Sequence, residues 1–182
     1  MVHIPQQRCI FLDRDGVLNN DLGTYLYRPE DLVIPEGVAE ALNLLKEAGF
    51  LLIVITNQAG IAKGMYTRDA VFEIHRLIQK QTGVQLDDLY FSPYHQDFTQ
   101  SLSRKPGTLM LEKAIAKYNI QTNGSWMIGD QLRDMKAGKG AGLKTVYLNK
   151  VQTAIEADFT TSDLLEAAQH ILKTENYENQ AF

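Results

Sequence analysis

Short apolar runs alternate with amphipathic segments along most of this chain. Apolar runs that are typical of buried strands occur at about residues 8–13, 50–55, 89–92, 126–128 and 145–148. Apolar side chains recur at helical spacing between these runs, and they predict helices over about residues 36–48, 67–83, 106–118, 131–141 and 161–173. We expect Asp158 and Phe159 to add a short edge strand. This alternation predicts an α/β fold with a doubly wound parallel sheet.

Residues 16–35 are the one long stretch without a regular pattern. Gly23, Pro29 and Pro35 interrupt them, and they follow the first strand directly. Irregular segments in this position are typical of a lid or binding loop, so we predict a flap over about 16–35, with Tyr25 and Tyr27 forming its small core. We expect one domain over residues 1–174, and a polar, frayed tail over 175–182.

Composition narrows the class of protein. The chain has 182 residues, of which 45% are hydrophobic and 22% charged, as in globular proteins with a sizeable core. Its formal net charge is −4, and the sequence contains no block of basic residues. Both features disfavour nucleic acid as a partner. Cys9 is the single cysteine, so no intramolecular disulfide is possible. The N-terminus lacks the apolar segment of a signal peptide or membrane span, so we expect a cytoplasmic protein with no membrane partner, and a monomer.

Polar side chains follow several of the predicted strands. Because parallel α/β sheets bind ligands outside the carboxyl ends of their strands, we expect these side chains to converge there. They are Asp13 and Asp15 after the first strand, Thr56 and Asn57 after the second, Arg104 and Lys105 after the third, and Asp130 and Asp134 after the fourth.

The residue types in this set are those that phosphoryl transfer needs. Two carboxylates two residues apart, Asp13 and Asp15, repel each other unless a cation lies between them, and a hard divalent cation such as Mg²⁺ prefers oxygen ligands. A carboxylate can also act as the nucleophile. Each residue alone has a structural interpretation: Asp130 could cap a helix, Thr56 could end a strand, and Lys105 could be a solvated loop lysine. Chance placement of all of them at successive strand ends is the weaker explanation.

Four of these segments resemble the four motifs of the haloacid dehalogenase superfamily. The matching segments are Asp13-Arg14-Asp15-Gly16, Thr56, Lys105 and Gly129-Asp130-x-x-x-Asp134. Three longer segments are similar to one branch, the histidinol-phosphatases and D-glycero-D-manno-heptose 1,7-bisphosphate 7-phosphatases. They are Phe11 to Asn19, Thr56 to Gly64 and Arg104-Lys105-Pro106. The similarity covers about residues 8–173 and implies a Rossmann-like fold with a small cap or none.

The resemblance also implies roles for individual residues. Asp13 would attack phosphorus, and Asp15 would protonate the leaving oxygen and later activate water. Mg²⁺ would be held by the side chains of Asp13 and Asp130 and by the backbone carbonyl of Asp15, with Asp134 behind them. The remaining roles concern the substrate: Thr56 and Lys105 would hold the phosphoryl group, and Asn57, Arg104, Asp21, Gln58 and Lys63 would contact the substrate.

The sequence departs from this pattern at two places. Many relatives hold a structural zinc before the Arg-Lys pair with a Cys-x-His and a Cys-x-Cys segment, where this chain has Ser92-Pro93-Tyr94 and Ser101-Leu102-Ser103. His95 without thiolates is a poor zinc site, so we predict no zinc. The second departure is Gln131, where the heptose enzymes often have a lysine.

The sequence leaves several functions open. A Mg²⁺-dependent phosphatase of heptose 1,7-bisphosphate is the leading hypothesis, and histidinol phosphate is the alternative substrate. A nucleic-acid 3′-phosphatase is disfavoured because the chain is acidic. A different class, the non-catalytic receiver-like switch, accepts phosphate with a similar set of residues, but it lacks a counterpart of Asp15.

Overall fold

A computed structural model describes residues 6–149 and 156–180, and within them strands alternate with helices as the sequence predicts. The strands are β1 (Cys9–Leu12), β2 (Leu51–Asn57), β3 (Asp88–Ser92), β4 (Trp126–Gly129), β5 (Lys144–Leu148) and β6 (Phe159–Thr161). The helices are α1 (Val38–Glu47), α2 (Arg68–Thr82), α3 (Leu109–Tyr118), α4 (Leu132–Gly140) and α5 (Leu164–Gln180). No helix in the described part of the chain is long and apolar enough to cross a bilayer.

The six strands form one parallel sheet in the order β3-β2-β1-β4-β5-β6. This order confirms the doubly wound fold, with β1 at its centre. Because side chains alternate along a strand, Ile10 and Leu12 point into the core beneath α1, α2 and α5, while Cys9 and Phe11 point into the core beneath α3 and α4. Both faces of β1 are therefore buried, and its carboxyl end emerges between β2 and β4.

The segment 16–35 packs back onto the domain. Its apolar residues Leu18, Leu26 and Leu32 join the core on the α1 side, and a short 3-10 turn covers Pro29–Asp31. Tyr25 and Tyr27 lie against the ring of Tyr66, with ring centroids 6.0 and 5.3 Å away. Both tyrosines are half-buried, and they share Tyr66 of the next loop as their aromatic neighbour.

Two helix boundaries differ from the sequence-based prediction. Pro106 is not in the first turn of a helix, because residues 101–107 form consecutive turns and α3 begins only at Leu109. Helix α5 runs beyond the expected end at residue 173 to Gln180, since no glycine or proline interrupts the segment that was predicted to fray. Residues 181 and 182 of that predicted tail lie outside the described residues.

Candidate active site

The carboxyl ends of β1, β2 and β4 bring the predicted site residues together. Leu12 is paired with Val54 on one side and with Ile128 on the other, so the next residue of each strand approaches the same edge of the sheet. The backbone N–H of Asp13 donates to the carbonyl of Ile128 at 2.9 Å and continues the ladder by one residue. The Asp13 side chain is therefore held rigidly at the centre of this edge, next to the loop that carries Asp130.

Three carboxylates form a tight cluster at this point. One oxygen from each of Asp13, Asp130 and Asp134 lies within 4.8 Å of the other two. Asp13 and Asp134 are buried, and the buried Oδ1 of Asp130 has no hydrogen-bond partner. Gly16 leaves room for this arrangement, since its φ is +84° and a Cβ atom there would lie 2.3 Å from Asp130 Oδ2. A buried, unpartnered carboxylate oxygen beside two further carboxylates fits a divalent cation with oxygen ligands.

A single buried ammonium group partly balances these carboxylates. Lys105 Nζ lies 3.0 Å from Asp13 Oδ1 and 2.7 Å from Asp134 Oδ1, and it donates to the carbonyl of Ile55 at 2.7 Å. The ammonium group is thus enclosed by two carboxylates and one carbonyl oxygen. Asn57 fixes the backbone of the same residue, because its side-chain amide donates to the Lys105 carbonyl and accepts from the Lys105 N–H, both at 3.0 Å. The lysine is thus held at both ends.

Burial and like charges shift the acidity of the cluster. Burial, together with the nearby carboxylates of Asp134 and Asp15, raises the pKa of Asp13 to about 7, although Lys105 opposes the rise. Burial also raises the pKa of Asp130. Burial alone would lower the pKa of Lys105, but the carboxylates of Asp13 and Asp134 outweigh it and raise that pKa. The cluster therefore carries an excess of negative charge that a bound cation would relieve.

Asp15 lies beside this cluster, but its side chain is not part of it. Its Oδ1 accepts from Arg14 Nη2 at 3.0 Å and from Asn19 Nδ2 at 3.1 Å, and its Oδ2 accepts from Gln58 Nε2 at 3.0 Å. The side chain is 31% exposed, whereas Arg14 is fully buried behind it. The Asp15 side chain is not part of the carboxylate group, and the family resemblance implies that Asp15 would offer its backbone carbonyl to a cation instead.

Thr56 and Gln58 form the side of the site that β2 contributes. Gln58 Nε2 donates to Thr56 Oγ1 at 2.9 Å, which leaves the hydroxyl proton of Thr56 available to another acceptor. The hydroxyl of Tyr66 donates to Gln58 Oε1 at 2.8 Å. Gln58 is 1% exposed, and the hydrogen bonds of its side-chain amide are to other side chains.

The other predicted substrate contacts lie at the rim. Asp21 is exposed and accepts from the N–H of Gly23 at 2.9 Å, while the ammonium of Lys63 lies 5.4 Å above the ring of Tyr25. Arg104 is half-buried and donates to the carbonyl of Tyr94 at 3.2 Å. Arg104 and Arg133 line one cavity of about 290 Å³ that reaches Lys105. Burial first, and then the charge of Arg133, lowers the pKa of Arg104.

Three serines take the positions at which relatives carry zinc ligands. Ser103 Oγ lies 3.2 Å from Ser92 Oγ and 2.8 Å from Ser101 Oγ, so hydrogen bonds join the two ends of the loop. His95 lies 3.3 Å from a carboxylate oxygen of Asp97, outside this cluster. A larger cavity of about 580 Å³ runs along edge strand β3 beside these serines, and none of the predicted site residues lines it.

The sequence-based prediction did not include four residues that contact or border this site. Arg14 and Asn19 bind Asp15, and both stand inside the quoted motif segment, so their position next to Asp15 was a usable signal. Tyr66 and Arg133 gave no such signal. Tyr66 contacts the site through its hydrogen bond to Gln58. Arg133, near the start of α4, lines the same cavity as Arg104.

Comparison with known proteins agrees with this geometry. The HAD-hydrolase-like family model matches residues 102–168. The D-glycero-beta-D-manno-heptose-1,7-bisphosphate 7-phosphatase of Pasteurella multocida is 39% identical over 160 residues, which cover 84% of this chain and 86% of the relative. The D-glycero-alpha-D-manno-heptose-1,7-bisphosphate 7-phosphatase of Burkholderia mallei is 34% identical over 167 residues, which cover 84% and 88%.

A solved structure extends the comparison to the whole fold. The D,D-heptose 1,7-bisphosphate phosphatase from B. bronchiseptica, crystallised with magnesium and phosphate, superposes with a TM-score of 0.84 at 26% identity. The superposition covers 92% of this chain and 99% of that one. These similarities favour a phosphatase over the receiver-like switch that the sequence left open.

Proposed function

The chain belongs to the haloacid dehalogenase superfamily, in the family of D-glycero-D-manno-heptose-1,7-bisphosphate 7-phosphatases, and we propose that it removes the 7-phosphate of that sugar bisphosphate with Mg²⁺ as cofactor. The observation that carries the proposal is the group of Asp13, Lys105, Asp130 and Asp134 at the carboxyl edge of the sheet, in which all but the partly buried Asp130 are buried. It combines a nucleophile, a fixed positive charge and a set of oxygen ligands, and phosphoryl transfer needs all three.

The residues present fit a magnesium ion. The side chains of Asp13 and Asp130 and the backbone carbonyl of Asp15 are the proposed ligands. Asp134 has a supporting role, because one of its oxygens lies against Lys105 and the other accepts from the N–H of Gln131 at 3.0 Å. When bound, the ion would neutralise charge on the phosphoryl oxygens and on the Asp13 carboxylate.

The proposed reaction has two steps. In the first, the free oxygen of Asp13 attacks phosphorus, since its Oδ1 is engaged by Lys105 and by the N–H of Arg14 at 2.7 Å. The bond from phosphorus to the sugar oxygen breaks as Asp15 gives that oxygen a proton. In the second, Asp15 takes a proton from a water molecule that attacks the aspartyl-phosphate, which releases phosphate and restores Asp13. The Thr56 hydroxyl donates a hydrogen bond to the phosphoryl group, and the positive charge of Lys105 offsets the negative charge of that group.

The two rim arginines support a substrate with a second phosphate. Among the described residues, no carboxylate lies within ion-pair distance of Arg104 or Arg133, yet both line the cavity beside Lys105. Gln131, where a lysine is common in relatives, donates to Asp130 Oδ2 at 3.0 Å instead. Two unpaired guanidinium groups attract the distal phosphate of a bisphosphate, whereas they repel the amine of histidinol phosphate.

Steady-state phosphate release tests the proposal. We expect a higher kcat/KM for heptose 1,7-bisphosphate, compared as both anomers, than for histidinol phosphate, and we expect EDTA to abolish the activity and Mg²⁺ to restore it. Asp15→Asn should lower kcat at least 100-fold without unfolding the protein. Preferential hydrolysis of histidinol phosphate would contradict the proposed substrate. Activity that persists in EDTA would contradict the proposed dependence on Mg²⁺.

A matched pair of arginine variants tests the second phosphate. Arg133→Ala should raise KM for the bisphosphate about tenfold and leave KM for histidinol phosphate within twofold, because only the bisphosphate has a distal phosphate. Arg76→Ala removes an exposed helical arginine on α2, outside the site, and should change neither. Equal effects of Arg133→Ala on the two substrates would contradict this part of the proposal.

A further inference from the structure

The orientation of the Asp15 carboxylate depends on a chain of side chains that reaches the flap. Three residues donate to this carboxylate: Arg14, which precedes it directly, Asn19, four residues further on, and Gln58, which comes from the loop after β2. Gln58 is the contact that joins Asp15 to the phosphate-binding side of the site, because the same Nε2 group also donates to Thr56.

The Tyr66 hydroxyl completes the hydrogen bonding of the buried Gln58 amide. The Gln58 Nε2 group donates to Asp15 Oδ2 and to Thr56 Oγ1, so the amide oxygen faces the other way. The Tyr66 hydroxyl donates to that oxygen at 2.8 Å. Without this donor, a buried carbonyl oxygen would lose its hydrogen-bond partner, and the amide would be free to rotate away from Asp15.

Packing fixes Tyr66 itself. Its ring is stacked on Tyr27 at a centroid distance of 5.3 Å and an interplanar angle of 14°. The opposite neighbour is Gly60, where a Cβ atom would lie 2.1 Å from the Tyr66 ring, so the close approach requires glycine. Arg14 also links the flap to Asp15, since its Nη2 donates to the carbonyl of Leu26 at 3.1 Å and to Asp15 Oδ1 at 3.0 Å.

We propose that Gln58 and Tyr66 are positioning residues that hold Asp15 in the orientation in which it protonates the leaving oxygen. This inference rests on the proposed function, because Asp15 needs a fixed orientation only if it transfers a proton. It assigns Gln58 a role through Asp15 and Thr56 rather than through the sugar, and it gives Tyr66 a role that the sequence did not indicate. The flap tyrosine Tyr27 contributes by holding the Tyr66 ring.

The test compares leaving groups that differ in their need for a proton. A sugar alkoxide leaves only when protonated, whereas the anion released from p-nitrophenyl phosphate is stable without one. Tyr66→Phe removes the hydroxyl and keeps the ring. We expect it to lower kcat/KM on heptose 1,7-bisphosphate roughly fivefold to tenfold and to change kcat/KM on p-nitrophenyl phosphate less than twofold, because kcat/KM reports the formation of the aspartyl-phosphate, in which only the sugar oxygen needs a proton.

Two further variants complete the design. Gln58→Met, which keeps the length of the side chain but cannot hydrogen-bond, should lower kcat/KM on the sugar phosphate about 100-fold. Adding Tyr66→Phe to it should cause no further loss, because the hydroxyl would no longer have a partner in the chain. Tyr118→Phe is the matched control, since it removes another partly buried hydroxyl, which lies 3.1 Å from Asp88 Oδ2 at the opposite end of the sheet.

The outcomes separate this inference from the proposed function. Equal losses of kcat/KM on both substrates, or additive losses in the double variant, would overturn the positioning role while wild-type turnover still supported the phosphatase. A wild-type protein that releases phosphate from neither substrate would overturn the proposed function, and the positioning role with it.

Discussion

The buried carboxylate of Asp13 should destabilise the metal-free protein. The pKa of this group is raised by burial from 3.8 to about 7, so the folded state holds a proton between about pH 4 and pH 7 that the unfolded state has released. Stability of the metal-free protein therefore falls as the pH rises through this range and stays low above it. A rise of about three pH units corresponds to at most about 4 kcal/mol, at about 1.4 kcal/mol per unit.

Asp13→Asn tests this reasoning, because the amide imitates the protonated carboxyl and still accepts a hydrogen bond from Lys105. In urea titrations with EDTA, we expect the variant to have a free energy of unfolding about 2 to 4 kcal/mol higher than the wild type at pH 8, with the difference vanishing near pH 4. Mg²⁺ should reduce or reverse the difference at pH 8, since only the wild type retains the full set of carboxylates. The variant should hydrolyse no substrate.

An exposed carboxylate serves as the control for this prediction. Asp31→Asn removes a carboxylate that is 41% exposed and lies 3.5 Å from Arg28 Nε, so it should change stability by less than about 1 kcal/mol at any pH. If Asp13→Asn were less stable than the wild type at pH 8, or if the difference did not depend on pH, the argument that this site is strained by unpaired negative charge would be wrong.

Three further predictions follow from the described contacts. Burial, with the charge of Arg14, lowers the pKa of His75 to about 4. The free energy of unfolding of the wild type should therefore fall by at most about 3 kcal/mol as the pH drops from about 6.5 to 4. In urea titrations of His75→Leu, this pH-dependent loss of stability should be absent. Gly16→Ala should weaken Mg²⁺ binding at least tenfold by calorimetry, because the new methyl group meets Asp130, whereas Gly23→Ala, with a similar positive φ and no neighbour within 4 Å, should bind Mg²⁺ normally. Elemental analysis of purified protein should find no stoichiometric zinc, because the loop closure between Ser92 and Ser103 offers no thiolate; one zinc per chain would refute this.

The sheet and the grouping of Asp13, Lys105 and Asp130 could be predicted from the sequence because they depend on local patterns and on topology. Continuous apolar runs such as Phe50 to Ile55 are typical of strands buried on both faces, and in a parallel sheet their carboxyl ends meet. The placement of Asp13 close to Asp130 and Lys105 follows from that rule and from the family motifs. The predicted start of α3 at Pro106 was wrong for a local reason, since the turns that bring Lys105 into the site also include that proline.

The hydrogen-bond partners of two amide side chains were decided by tertiary structure. Asn57 and Gln58 have the chemistry of substrate ligands, and nothing in their sequence neighbourhood indicates otherwise. In the fold, Asn57 binds the backbone of Lys105, and Gln58 is enclosed by Asp15, Thr56 and Tyr66. An amide can bind a substrate or a neighbouring side chain equally well. Its partner is therefore set by which residues the packing brings within about 3 Å. That packing joins residues that are far apart in sequence, such as Gln58 and Asp15.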